Sequence, residues 1–102
     1  LHDLDVVFVG GATAPGYRLL GNPRYPNAEA DFARTFDLLE KLSCDVFLGA
    51  HGSYFDLESK RQRLSGKGPN PFVDSSALRR YAAVTREDHA RQLDRERAAR
   101  PN

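Results

Sequence analysis

Cysteine, tryptophan, methionine and net charge are all scarce in this chain of 102 residues, which has one Cys, no Trp, no Met and a formal charge of +1. A lone Cys44 excludes an internal disulfide and any zinc cluster built from several thiolates of this chain. Fifteen basic residues against fourteen acidic ones make no electrostatic case for a nucleic-acid partner. No apolar run approaches the ~20 residues that cross a bilayer, so no membrane association is expected. The opening Leu1-His2-Asp3-Leu4-Asp5 lacks the basic-then-apolar pattern of a secretion signal. Histidine is sparse too, with only His2, His51 and His89. Since a catalytic zinc takes about three protein ligands and a water, these residues do not make such a site alone.

What is present is a modest apolar complement, 40% of the residues against 28% charged, sufficient for one small α/β domain spanning residues 1–102. Leu4 to Val9 contains four consecutive apolar residues from Val6, the pattern of a strand covered on both faces and central in a sheet. Residues 10–26 hold four glycines and three prolines and read as a long loop of the kind that often carries function. Asn27 can cap a helix whose apolar positions Ala28, Phe32, Phe36 and Leu39 recur at helical spacing. The charges Glu29, Arg34, Asp37, Glu40 and Lys41 on its other side read as a solvated face.

A second short apolar run, Asp45 to Ala50, delivers His51 into a turn flanked by Gly49 and Gly52. From its own residues His51 is either a turn histidine or a metal ligand presented at a sheet edge. Ser53 to Leu64 is helix-compatible and basic at Lys60, Arg61 and Arg63, a weak argument for phosphate, and Gly66 to Pro71 breaks it. Asp74 or Ser75 can cap a last helix with Leu78, Tyr81, Ala82, Thr85, His89 and Leu93 on one face. His89 then reads as a packed core histidine, and His2 has no assigned role. Residues 94–102 lack an apolar face and are expected to fray or stay in solvent. Two strands are few for a closed sheet, so half of a larger layered fold is the expected architecture.

Four segments together carry a resemblance: Thr13-Ala14-Pro15-Gly16-Tyr17, Gly21-Asn22-Pro23-Arg24-Tyr25-Pro26, Asp31-Phe32-Ala33-Arg34-Thr35-Phe36, and Cys44 through His51. In this order the chain, from about Val6 to Leu93, resembles the C-terminal half of the metallo-β-lactamases, class B, third subclass. The resemblance implies the C-terminal half of an αββα sandwich and hydrolysis of the β-lactam amide bond by two zinc ions, giving antibiotic resistance in the periplasm or outside the cell. It implies that the N-terminal half, with its His-x-His-x-Asp-His motif, is a missing segment or another chain.

Among the residues here, the resemblance makes His51 the last ligand of the second zinc. Gly11 and Thr13 fall in the loop that holds the substrate carboxylate, Gly11 standing where some relatives have serine. Tyr17 matches a tyrosine proposed to polarise the lactam carbonyl, a role suited to a phenol donor. Thr13 and Tyr17 also admit a plain reading as loop residues, one bonding to nearby backbone and the other plugging the sheet edge. In several members the cysteine before this strand pairs with another near the last helix. Residues 72–78 contain none, so Cys44 is expected to be a free, buried thiol.

Other hydrolases of this fold cleave lactones, thioesters or phosphodiesters, which keeps the substrate open. A non-catalytic half-domain that pairs with itself through its exposed sheet is the remaining alternative. Alone, the 102 residues are expected to be inactive and to associate through Val6, Phe8, Val46 and Leu48.

Overall fold

The computed structural model describes residues 3–12 and 18–99. Strand β1 (Val6–Val9) leads through a long connection to helix α1 (Ala28–Lys41), and strand β2 (Val46–Gly49) follows. A 3₁₀ turn at Gly52–Phe55, helix α2 (Leu57–Arg63) and helix α3 (Ala77–Ala98) complete the order. The two strands pair in parallel, with Val6 opposite Val46 and Val9 opposite Gly49. A parallel pair needs a crossover of a dozen or more residues, and α1 supplies it.

Because side chains alternate across a strand, Val7, Val9 and Phe47 turn together toward the helices. There they join a core of Ala12, Phe36, Leu39, Cys44, Phe55, Leu78, Tyr81 and Ala82. The opposite face is a different matter. Val6 is 57% exposed and Phe8 65% exposed, with Val46 and Leu48 half-buried beside them. The expectation that β1 is covered on both faces therefore fails among the described residues. Its sequence is apolar on both sides, but the helices of this chain cover one. The fold is mixed α/β with one unclosed two-stranded sheet rather than a complete sandwich. Its radius of gyration, 16.6 Å, exceeds the ~13 Å of a compact domain of this length.

Helices α1 and α3 lie antiparallel. Arg86 bonds to Asp37 at 2.8 Å and to Glu40 at 3.0 Å near one end, and Arg97 reaches Glu29 at 3.4 Å near the other. Three charges read as a solvated face are thus ion-paired between helices. His89 sits between Phe32 and Phe36, with ring centroids 5.4 and 5.3 Å away, the packed position expected of it. Burial pushes its imidazole below the ordinary value.

The helix starts differ from the capping read in the sequence. Asn27 occupies the N-cap of α1 without a side-chain cap bond, and Ser76 precedes α3 in the same way. Asp74 instead organises the start of α3, its Oδ1 accepting the Ser76 amide at 3.2 Å and the Ser76 hydroxyl at 3.0 Å. The single helix expected over 53–64 is interrupted at Asp56, whose φ of +57° closes the 3₁₀ turn and opens α2. Nor is that segment a basic patch. Lys60 is 1% exposed with its ammonium 3.5 Å from Asp74, and Arg61 pairs with Glu58. A helix shows its residues to both core and solvent, so a charge run on it is not by itself a surface.

Residues 94–98 are helical, since α3 continues to Ala98, and all but Glu96 are exposed, as their lack of an apolar face implied. The Glu96 carboxylate accepts the amides of Leu19 at 3.0 Å and Leu20 at 2.9 Å, which ties the helix end to the long connection. Burial works against the ionised form, but the Leu20 and Leu19 donors outweigh it and hold the Glu96 carboxyl below its usual value. Cys44 is free and buried, as expected, and burial raises its thiol.

Candidate functional site at the carboxyl edge of the sheet

Parallel strands release their following loops at the same edge, and in open α/β sheets ligands bind outside that edge. Here β1 runs out into Gly10, Gly11 and Ala12 while β2 runs out into Ala50 and His51. A hydrogen bond from the Ala50 amide to the Val9 carbonyl, 3.1 Å, holds the two exits side by side. His51 is exposed, with extended backbone at φ −121° and ψ 138°. Gly11 is exposed at the same edge. Thr13 and Tyr17 lie outside the described residues.

The flanking glycines matter for space rather than for turning. Neither Gly49 nor Gly52 has a positive φ. A Cβ on Gly49 would stand 2.7 Å from Cδ2 of Tyr54, a distance no real side chain tolerates. The bare strand end lets the Tyr54 ring lie across it, edge-on to His51 with centroids 5.1 Å apart at 79°. Tyr54 in turn packs on Tyr81 at 4.9 Å, and the hydroxyl of Tyr81 accepts the buried Ala12 amide at 3.0 Å. Burial pushes that phenol above its ordinary value, so at neutral pH it is protonated.

Tyr54 and Tyr81 are the residues of this edge that sequence reasoning passed over. The available signal was a polar-tipped aromatic on the apolar stripe of α3, since a buried tyrosine hydroxyl usually has a partner. Both tyrosines also line a groove of about 500 Å³ between the 3₁₀ turn and α3, with Arg80 and Asp88 at its rim. Those charges are already engaged, Arg80 with Asp74 and Asp88 with Arg91.

A zinc ion is the group to test against this edge. No set of three or more His, Cys, Asp or Glu side chains comes together among the described residues. His51 is open to a metal, yet this chain's described residues do not make a zinc site on their own. No helix among them is long and apolar enough to cross a membrane.

Comparison with known proteins gives the same picture of a part within a larger fold. The chain superposes on a metallo-β-lactamase from Cronobacter sakazakii with a TM-score of 0.87 and 35% identity, covering 93% of this chain and 38% of that one. A subclass B3 metallo-β-lactamase of Bradyrhizobium japonicum gives a TM-score of 0.90 and 33% identity, with 96% and 37% covered. For the enzyme from Legionella gormanii the values are 0.78 and 34%, with 85% and 34% covered. No family model matches the chain. Over 74 residues the chain is also 36% identical to a curated Caenorhabditis elegans protein that carries an acid-phosphatase name, spanning 17% of its length. The chain is thus structurally homologous to the metallo-β-lactamase-fold proteins and corresponds to part of that fold.

Proposed function

We propose that this chain is the C-terminal half of a zinc-dependent β-lactamase of the third subclass of class B, acting in the periplasm or outside the cell. The observation that carries the reading is the placement of His51, exposed at the end of β2, beside the exit of β1 that leads into Gly11. Identity of 33–35% along nearly the whole chain supports it. A second segment, in the same polypeptide or another, supplies the remaining ligands and packs on the open face of Val6 and Phe8.

In this reading His51 is the last ligand of the second of two zinc ions. When bound, zinc supplies hydroxide at neutral pH by lowering the pKa of water from 15.7 to about 7. The chain's own contribution is to hold and orient. Thr13 donates a hydrogen bond to the substrate carboxylate, and the backbone at Gly11 lines the same loop without a second hydroxyl. The Tyr17 phenol donates to the lactam carbonyl as negative charge builds on its oxygen, the electrostatic task of an oxyanion donor.

Nitrocefin hydrolysis and bound zinc, measured together on the full-length protein with and without a chelator, test this. Turnover that falls with chelator and returns with zinc is the expected result. Zinc-free protein without turnover would overturn it. The acid-phosphatase name of the Caenorhabditis elegans relative favours a phosphate ester as the second reading. Metal-dependent cleavage of p-nitrophenyl phosphate with nitrocefin untouched would decide for that alternative.

A further inference from the structure

The two loops that leave the sheet at its carboxyl edge are both in contact with one side chain of α3. Tyr81 is 6% exposed and packs against Phe47 of β2 at 5.1 Å, so its ring is fixed by the core. Its hydroxyl receives the amide of Ala12, itself 1% exposed, two residues beyond Gly10 in the exit from β1. The same ring packs on Tyr54 at 4.9 Å, tilted by 43°, and Tyr54 meets His51 at 5.1 Å. Tyr54 is held from two further sides, by its amide bond to the His51 carbonyl at 3.1 Å and by the bare Gly49.

We propose that Tyr81 is a positioning residue for the metal-binding edge: its hydroxyl pins the exit of β1 at Ala12, and its ring backs Tyr54, whose edge-on contact sets the orientation of the His51 imidazole. This rests on the reading of His51 as a zinc ligand. A metal site demands one ring orientation, and groups behind the ligand typically change metal affinity or activity by about 10–100-fold when altered. That support usually comes from a hydrogen-bonded carboxylate or carbonyl. Here it comes from packed aromatic rings, one tilted and one edge-on contact, anchored by one backbone amide.

The test uses the full-length protein carrying Tyr81→Phe, which keeps the ring and removes the hydroxyl, and Tyr54→Leu, which removes the ring against His51. In metal-free protein, Tyr81→Phe is expected to speed hydrogen exchange at Ala12 by about ten-fold or more and to shift the His51 ring resonances. Tyr54→Leu is expected to shift those resonances and leave Ala12 protected. With metal, each variant is expected to weaken zinc binding by about ten-fold in competition with a chromophoric chelator. The double variant is expected to show both defects, fast exchange at Ala12 and shifted His51 resonances, because the Tyr81 hydroxyl acts on Ala12 and the Tyr54 ring on His51. Lowered thermal stability in Tyr81→Phe with unchanged His51 resonances and unchanged zinc affinity would overturn the proposal. Wild-type protein that binds no zinc would refute the metal reading instead. The metal-free resonances then decide alone, a shift upholding the role of Tyr81 and its absence ending it.

Discussion

Neutralising Asp74 should destabilise the protein far more than removing the lysine it faces. Lys60 is 1% exposed, its ammonium lies 3.5 Å from Oδ2 of Asp74, and it makes no hydrogen bond among the described residues. Asp74 is better served, with Arg80 at 2.6 Å and the Ser76 amide and hydroxyl on Oδ1. Asp74→Asn leaves a buried ammonium without a counter-charge, and breaking a buried pair costs about 3–5 kcal/mol. The 24% exposure of Asp74 places the expected loss at the lower end, about 3 kcal/mol. Lys60→Met removes the buried charge itself and leaves Asp74 with Arg80, so its stability should lie within about 1 kcal/mol of wild type or above it. In the double variant the penalty of the orphaned ammonium is gone, giving a coupling of about 2 kcal/mol.

Urea unfolding of the four proteins at neutral pH measures these differences. Two further results would refute the reasoning: an Asp74→Asn loss below about 1 kcal/mol, or losses that simply add. Acid adds an independent check. The hydrogen bond from Arg80 holds the Asp74 carboxyl well below the usual carboxylate range. A depressed folded pKa stabilises above the unfolded value of about 3.9 and is lost as pH falls toward the folded one. Asp74→Asn should therefore lose less stability than wild type on acidification below about pH 4.

Gly49→Ala puts a Cβ 2.7 Å from the Tyr54 ring and should cost about 1–3 kcal/mol by overpacking, with shifted His51 ring resonances as its local signature. Unchanged stability and unchanged resonances would show that Tyr54 moves freely. Glu96→Gln should loosen the Leu19 and Leu20 amides, read as faster hydrogen exchange there. Because the Glu96 carboxyl is held below its ordinary value, wild type should also lose this contribution as pH falls below about 4.3, and the variant should not. The isolated 102 residues should show no chelator-sensitive nitrocefin turnover. They should associate through Val6 and Phe8, and Phe8→Glu should reduce the sedimenting mass. A monodisperse wild-type monomer would contradict that.

Much of the layout was legible in local pattern. The apolar runs at Val6 and Val46 and the periodicity of Phe32, Phe36 and Leu39 report elements directly, because a strand or helix must show its apolar residues at its own spacing. Tyr81, Ala82 and Thr85 fall on the inward stripe of α3 for the same reason. The failures share a cause as well. Lys60 read as part of a basic run and Glu96 as tail, because the partner of each lies at least fourteen residues away and a charge does not announce whether its counter-charge is water or another chain segment.

By itself the sequence determined the order of the main elements and the delivery of His51 to the end of a strand, since these follow from short-range spacing and breaker residues. Tertiary structure alone decided why Gly49 has no side chain and that Tyr81 and Tyr54 stand behind His51. Those are matters of space that no apolar periodicity reports. A contact such as Ala12 to Tyr81, 69 positions apart, exists only once β1 and α3 have packed.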